Sequence, residues 1–487
     1  MEKFDVIIIG AGSVGSAVAR ELSRYHLQVA VLEKELDVVS NTSGRNSGVV
    51  HAGFNNKPGS LMAKYCVAGC LGFEALAREL DVPYQRTGKL VIAQEKEDLD
   101  GLEHLYQQGR LNGCPDLRII TGGEIKKKLP WVEGLAALYS PWTSIFDPFI
   151  YTIALAENAC QNGVRFFFDH QVLAAAKNVD PDNPGYTLKT KQGSFAASWV
   201  INCAGLAADT VAGMFGVNDY PIFPCRGEYL VLDKSALPFL PIPVYPVPNQ
   251  KKGGLGVHLT PTTDGNVLIG PSNEYIDQPF DYATTKPVMD MLLEEGLRLL
   301  PKLRRNMVIS SFAGVRPKLV SETVGGFGDF VILEREDNKQ VIHLIGIESP
   351  GITASAPLAR DIAAQVVARA NAAAKPGFDG RRRGVIRFAD QPDQVKAALI
   401  AGDPAYGEII CRCQTITKRE ILEAINNPLG IATMVSVKSR TRAMMGRCQG
   451  GFCQTRIAEL IMEEKGQSVD QVLYNKADSR MFYGSVR

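Results

Sequence analysis

The sequence predicts an α/β framework that carries an inserted antiparallel β sheet and ends in a small helical module. Three observations predict it. The chain opens strand, glycine turn, helix, strand; later segments of alternating, Pro-rich character separate two more strand–turn units; and four of the ten cysteines crowd into residues 404–487. A length of 487 residues is about three times that of a usual domain, so two or three are expected. With 45% apolar and 22% charged residues, wholesale disorder is excluded.

Taken in order, Asp5–Ile9 reads as a strand, Gly10–Gly15 as a turn, Ser16–Tyr25 as a helix and Gln28–Glu33 as a second strand, a βαβ opening. Ser198–Asn202 running into Cys203-Ala204-Gly205, and Val341–Gly346 running into a Ser-Pro-Gly turn, have the same character. Between them, Arg86–Gln94 and Tyr220–Gly270 read as the inserted antiparallel sheet. Phe166–Phe168 reads as a buried strand, and Trp131 and Trp142 as core residues. Ala354–Ala373 reads as a helix that ends at Lys375-Pro376-Gly377. Residues 376–405, with the run Arg381-Arg382-Arg383 and little periodicity, are expected to be an interdomain linker. The expected division is residues 1–375 as one unit and 406–487 as a separate module. Within the first unit, about 1–80, 150–219 and 335–375 form the α/β part, and about 81–149 and 220–334 the inserted part.

Lys and Arg number 53 against 52 Asp and Glu, and a net charge of +1 gives no field for a nucleic acid or a polybasic membrane anchor. No window holds eighteen uncharged apolar residues, so no integral membrane segment is expected. Met1 leads directly into a strand without a signal peptide's cationic start. A cytoplasmic location follows, at most peripheral to a membrane through a partner. In that compartment disulfides are not expected.

Gly10-Ala11-Gly12-Ser13-Val14-Gly15 follows an apolar strand directly. The first glycine suits a tight turn, the second lets backbone approach a pyrophosphate, and the third lets helix and strand pack closely. Glu33, 18 positions after Gly15, ends the next strand where a carboxylate can accept from ribose hydroxyls, with Lys34 beside it. This is a Rossmann-type unit that binds a dinucleotide. The fingerprint alone leaves FAD and NAD both open.

Thr42-Ser43-Gly44-Arg45-Asn46-Ser47-Gly48-Val49-Val50-His51-Ala52-Gly53 resembles the flavin-contacting segment of the D-amino-acid-oxidase-like flavoprotein superfamily. Its nearest likeness is to the branch of type II glycerol-3-phosphate oxidases and L-2-hydroxyglutarate dehydrogenases. Asn202-Cys203-Ala204-Gly205 with Asp209, Gly256–Pro261, Ala313–Pro317 and Glu348–Thr353 occur in the family's order and extend the likeness over residues 1–372. The resemblance implies FAD as cofactor and a glutathione-reductase-like fold. It implies flavin contacts from Gly10, Gly12, Ser13, Val14, Gly15, Glu33, Lys34, Thr42, Ser43, Asn46, Ser47, Val172, Ala204 and Gly205. Gly351, Ile352 and Thr353, at the start of a helix, are implied near flavin N1 and O2, where their N–H groups can stabilise negative charge.

Oxidising a secondary alcohol through a flavin requires hydride transfer to N5 and removal of the hydroxyl proton. His51 stands at the family's base position, and an imidazole is suited to that proton. A packing histidine or a covalent flavin anchor are the other readings of it. Arg316 stands where the family binds an anionic substrate group, which its planar fork suits; a surface ion pair is its alternative. His258 and Ser349 are implied as substrate neighbours, although a satisfied core histidine fits His258 as well. Cys203 reads as a small apolar filler.

The tail has Cys411-x-Cys413 and, 34 residues later, Cys448-x4-Cys453. Four thiolates can hold a [2Fe-2S] cluster, two per iron. Structural zinc usually takes wider ligand pairs, so the one-residue spacing speaks against it. With Arg412, Arg442 and Arg447 nearby to offset cluster charge, the pattern resembles the bacterioferritin-associated-ferredoxin-like [2Fe-2S] domain. Lys418–Ile425 and Thr455–Glu464 have helical apolar spacing, consistent with a small helical fold.

An oxidase returning electrons to O2 has no need of such a centre. The expectation is therefore an FAD-dependent dehydrogenase of a small anionic hydroxy substrate, sn-glycerol 3-phosphate giving dihydroxyacetone phosphate. Electrons would pass through the cluster to an electron-accepting protein, a second flavoprotein or a quinone-linked one. The alternatives are L-2-hydroxyglutarate as substrate, an amino- or imino-acid dehydrogenase subunit, and a non-catalytic electron-transfer subunit.

Overall fold

The computed structural model describes residues 1–178, 185–248 and 256–484. At the centre of its eight-stranded sheet lies the strand Glu2–Ile9, parallel to Val29–Leu32 on one side and Ser194–Asn202 on the other. Arg165–Phe167 and Asn338–Ile345 extend the parallel part. Parallel strands covered on both faces need continuous apolar runs. Val6–Ile9 and Val29–Leu32 supply them, with no residue more than 5% exposed. Helices Ser13–Leu22, Pro148–Gln161 and Gly351–Ala370 pack together against this sheet.

Two helices lie three residues earlier at both ends than expected. The first helix starts at Ser13 because the turn closes at Gly12, whose carbonyl already accepts from Ser16 N at 2.9 Å. The helix expected at Ala354 starts at Gly351, so the Ser-Pro-Gly turn winds straight into it; Asn371, at φ 50°, ends it. A Cβ on Gly69 would fall 1.8 Å from the Thr353 carbonyl oxygen. Glycine there lets helix Leu61–Glu79 press on the first turn of Gly351–Ala370 and fix its position.

The second sheet has nine strands, most of them antiparallel. Its longest pairing joins Phe223–Leu232 to Val308–Lys318 and sets Cys225 opposite Arg316. Its one parallel pair, Val244–Pro246 with Lys89–Ala93, is where the two inserted stretches of chain meet. Trp142 packs at the edge of the first core and donates Nε1 to Asp116 at 2.8 Å. Trp131, expected in the core, is 41% exposed: it lies against Phe239 from outside and under the Lys302 ammonium. Phe166 and Phe167 belong to an edge strand and are only half-buried, which the apolar run alone does not reveal.

Residues 376–405 are fastened to the body instead of trailing free. Asn158 donates to the carbonyls of Asp379 and Arg381, and Arg382 is buried with both Nε and Nη2 on Glu157, at 2.9 and 2.7 Å. Asp393–Gly402 is a helix. The attachment runs through polar side chains, so no apolar period marks it. The C-terminal module builds its own core from Ile421, Val437, Ile457 and Ile461. Helices Lys418–Ile425 and Gln454–Lys465 match the periodic segments. A third, Met434–Thr441, has Ser, Thr and β-branched residues of low helix propensity and relies on a Thr433–Ser436 capping box and burial.

Candidate active site

Across the C-terminal ends of the parallel strands, where ligands of such sheets bind, two adjoining cavities form one trench. The distal cavity, about 1050 Å³ of space partly open to solvent, is lined by Gly10, Glu33, Lys34, Val172 and Ala204. It shares Gly12, Thr42, Ser43 and Gly205 with a proximal cavity of about 1390 Å³, also partly open, to which Ser13 and Val14 contribute. Gly10, at φ +99°, has no room for a Cβ, which would sit 2.6 Å from the Cys203 carbonyl oxygen. Gly12 is different, since the only atom near its missing Cβ is Ser43 Oγ at 3.0 Å, so its face opens on the trench. That combination leaves room for the backbone to cradle a dinucleotide pyrophosphate.

Glu33, just after strand Val29–Leu32, is buried, and burial raises its pKa. Its two oxygens accept from Ala11 N at 2.7 Å and Glu35 N at 3.0 Å, and each keeps a second lone pair. Lys34 lies over the Phe280 ring at the trench mouth. Ser13 spends its N–H on Ser43 Oγ and its hydroxyl on Thr152, so it shapes the turn through its backbone. Thr42 Oγ1 donates to the Val315 carbonyl at 2.8 Å, tying this wall to the second sheet. Asn46 folds its own turn, donating to Ser43 O and accepting from Gly48 N, and Ser47 follows it on the cavity wall. Opposite lies the helix start Gly351-Ile352-Thr353, and Thr353 Oγ1 accepts from His51 N at 3.2 Å.

His51, Arg316, His258 and Ser349 all line the proximal cavity. Burial, then the Lys89 ammonium and His258, push the His51 pKa well below 6.5, so the ring is neutral near pH 7 and has a free lone pair to accept a proton. Arg316 is held from behind by the strand opposite: Nη2 donates to the carbonyls of Ser272 at 3.0 Å and Arg226 at 3.5 Å, and Nε to that of Cys225 at 3.4 Å. Among the described residues it forms no salt bridge within 4.0 Å, although Glu348 in the same cavity feels its charge. His258 stacks on Tyr245 at 3.7 Å, and its pKa is lowered to about 3, chiefly by burial. Its Nδ1 faces the Gly256 carbonyl at 3.0 Å, which can only accept, so Nδ1 carries the proton and Nε2 is a bare acceptor without a partner. Cys203 is a buried thiol with its pKa raised by burial, as a filler should be.

Lys89 was not anticipated. It is buried, its pKa is lowered to about 7 by desolvation, and its ammonium lies over the rings of Tyr245 and Phe54. It lines a second chamber that joins the proximal cavity through His51 and Ser349. The signal was a lysine opening the otherwise apolar strand Lys89-Leu-Val-Ile-Ala. Glu348 was likewise given no role, yet it lines the same cavity with its pKa raised to about 7 by burial.

In the module the four cysteines fall into two facing pairs, Cys411 with Cys453 and Cys413 with Cys448. The Cys453 thiol, and after it backbone N–H groups of Met444, Gln414 and Cys413, hold the Cys411 pKa down against burial. Two dithiol pairs can supply two thiolates to each iron of a two-iron cluster. Of the arginines expected to offset cluster charge, Arg442 pairs with Asp264 at 3.0 Å and Arg447 with Asp233 at 3.2 Å. Both face acids of the inserted sheet, so they dock the module as well. Arg440 is buried against Asp37 and Glu157. Arg45, Asn46 and Ser47 line the proximal cavity on one side and, on the other, an interface cavity that reaches Gln449, next to Cys448.

Residues 5–365 match the family described as FAD dependent oxidoreductase, and residues 409–463 the BFD-like [2Fe-2S] binding domain. A relative from Caloramator mitchellensis named glycerol 3-phosphate dehydrogenase is 37% identical over 99% of both chains. A mitochondrial L-2-hydroxyglutarate dehydrogenase of Caenorhabditis elegans is 32% identical over 76% of this chain and 94% of its own. Among solved structures, the L-alpha-glycerophosphate oxidase of Mycoplasma pneumoniae with FAD bound superposes with a TM-score of 0.71 at 31% identity, covering 78% of this chain and 98% of its own. The chain belongs to the FAD dependent oxidoreductase family and joins to it a BFD-like domain for a [2Fe-2S] cluster.

Proposed function

We propose that this enzyme oxidises sn-glycerol 3-phosphate to dihydroxyacetone phosphate and delivers the electrons to a partner protein through its C-terminal module. The observation that carries the reading is the meeting of a neutral His51 and an Arg316 without an acidic partner in one cavity of the cofactor trench. Arg316 binds the substrate's phosphate. His51 accepts the proton of the C2 hydroxyl as the C2–H bond breaks, its electron pair leaving as hydride and the C–O bond becoming a carbonyl. FAD supplies the acceptor for that hydride, and the cluster supplies a one-electron carrier. Thr353 holds His51 through the backbone, while Ser349 and His258 border the substrate. Gly10, Gly12, Glu33, Ser43 and Gly205 hold the dinucleotide, and Gly351, Ile352 and Thr353 face its flavin end.

Cys411, Cys413, Cys448 and Cys453 ligate the cluster. Cys413 is exposed whereas Cys411 and Cys453 are buried, so the Cys413 side is where an acceptor, a second flavoprotein or a quinone-linked one, would meet it. Among the described residues no helix is long and apolar enough to cross a membrane. A second reading, L-2-hydroxyglutarate as substrate, is favoured by Lys89, a second buried cation beside His51 that a second carboxylate could use. The test is flavin bleaching under argon with glycerol 3-phosphate, L-2-hydroxyglutarate, malate, proline and sarcosine. Fast bleaching by the first alone supports the proposal, and bleaching by none removes it.

A further inference from the structure

We infer that Glu348 is a specificity residue that accepts a hydrogen bond from a second hydroxyl group of the substrate, so that the cavity favours a polyol phosphate over a dicarboxylate. The inference rests on reading this cavity as the alcohol-oxidising site. Glu348 lies in the turn between strand Asn338–Ile345 and helix Gly351–Ala370. The turn is tight: Glu348 N donates to the Gly346 carbonyl at 2.8 Å, and the Glu348 carbonyl accepts from Gly351 N at 2.5 Å. The side chain is 3% exposed and lines the cavity shared by His51 and Arg316.

Among the described residues neither of its oxygens has a hydrogen-bond donor. The Lys318 ammonium lies 4.0 Å away, which offsets charge but is too long for a hydrogen bond. That ammonium donates instead to the Gly326 carbonyl at 2.9 Å. A buried carboxylate with charge balance but no donors is costly. When Glu348 is ionised, above its raised pKa of about 7, the missing donors come from whatever fills the cavity.

The chemistry of that ligand follows from the other groups. Arg316 takes an anion, and His51 takes the proton of the hydroxyl being oxidised. A further hydroxyl on the neighbouring carbon is a neutral donor, which suits Glu348. A second carboxylate in the same place would set two acceptor-only anions together in a buried site. Glycerol 3-phosphate carries such a hydroxyl, and L-2-hydroxyglutarate carries carboxylates at both ends.

The test compares glycerol 3-phosphate with 2-hydroxypropyl phosphate, which lacks only the terminal hydroxyl, by anaerobic flavin reduction in the full-length holoenzyme. A hydrogen bond to a charged acceptor corresponds to a preference of about 10- to 100-fold in kcat/KM for glycerol 3-phosphate. In Glu348→Ala that ratio should collapse to within about 3-fold, whatever the absolute rates. Glu348→Gln, which keeps volume and fold, should keep part of the ratio and gain activity on L-2-hydroxyglutarate. A wild-type enzyme that oxidises both phosphates equally well, or variants that keep the wild-type ratio, would overturn the role of Glu348 while leaving the oxidoreductase reading intact. A wild-type enzyme inert to every alcohol would overturn both.

Discussion

Replacing Arg440 by Met should loosen the module from the flavoprotein body and slow electron delivery to the cluster. Arg440 is 2% exposed at its side chain, and it grips Asp37 with two bonds, Nη1–Oδ2 at 2.5 Å and Nη2–Oδ1 at 3.2 Å; its Nε lies 3.4 Å from Glu157. Glu157 loses little in the variant, because Arg382 keeps both of its bonds to it. Among the described residues the Asp37 carboxylate keeps only the N–H of its neighbour Val38, at 2.8 Å. The cost therefore falls on one buried carboxylate. Breaking a buried pair from one side costs about 3–5 kcal/mol, and a single orphan beside the open trench points to the lower end, about 3 kcal/mol. At 1.36 kcal/mol per decade this shifts docking by roughly 150-fold. Denaturant melts of the holoenzyme measure the stability, and anaerobic stopped-flow at flavin and cluster wavelengths measures the transfer. Asp37→Asn added to Arg440→Met should recover part of the loss, since it removes the orphan charge. Single-variant stability equal to wild type, or strictly additive effects of the two changes, would refute the reasoning.

His51→Asn should depress flavin reduction by about 10²–10⁴ in kcat while the visible flavin spectrum stays normal, and near-normal turnover would remove His51 as the base. Because burial, Lys89 and His258 hold the His51 pKa well below 6.5, the acid limb of kcat/KM should lie below that of an ordinary imidazole. Lys89→Met takes away one depressing charge, so the limb should move up towards pH 6.5; a limb that stays put, or moves down, contradicts the coupling. Cys413→Ser should abolish cluster absorbance and lower bound iron while substrate still bleaches the flavin, and a variant with full iron content would exclude Cys413 as a ligand.

The fingerprint glycines were legible because their constraints are local: a backbone at positive φ for Gly10 and a close helix–strand approach for Gly15. The cysteine pairs were legible because ligand spacing follows from the metal chemistry. The helix Met434–Thr441 was not, since its residues disfavour helix on their own and tertiary burial overrides them. The fastening of residues 376–405 was hidden for a related reason, for Arg382 and Asn158 act through partners more than 200 residues away. Lys89 and Glu348 carry ordinary residue identities, and only the fold reveals that both are buried beside His51 and Arg316. A lysine that begins a buried strand was the one cue available in advance.

The central claim is that substrate electrons enter at the flavin and leave through the cluster. It is tested most directly by mixing the full-length, iron-loaded enzyme with one equivalent of glycerol 3-phosphate under argon and following flavin and cluster together, by absorbance and by electron paramagnetic resonance. The flavin bands should bleach first, and the reduced-cluster signal should then rise from the same electrons, without added mediator. Flavin that bleaches while the cluster stays oxidised for minutes would contradict it.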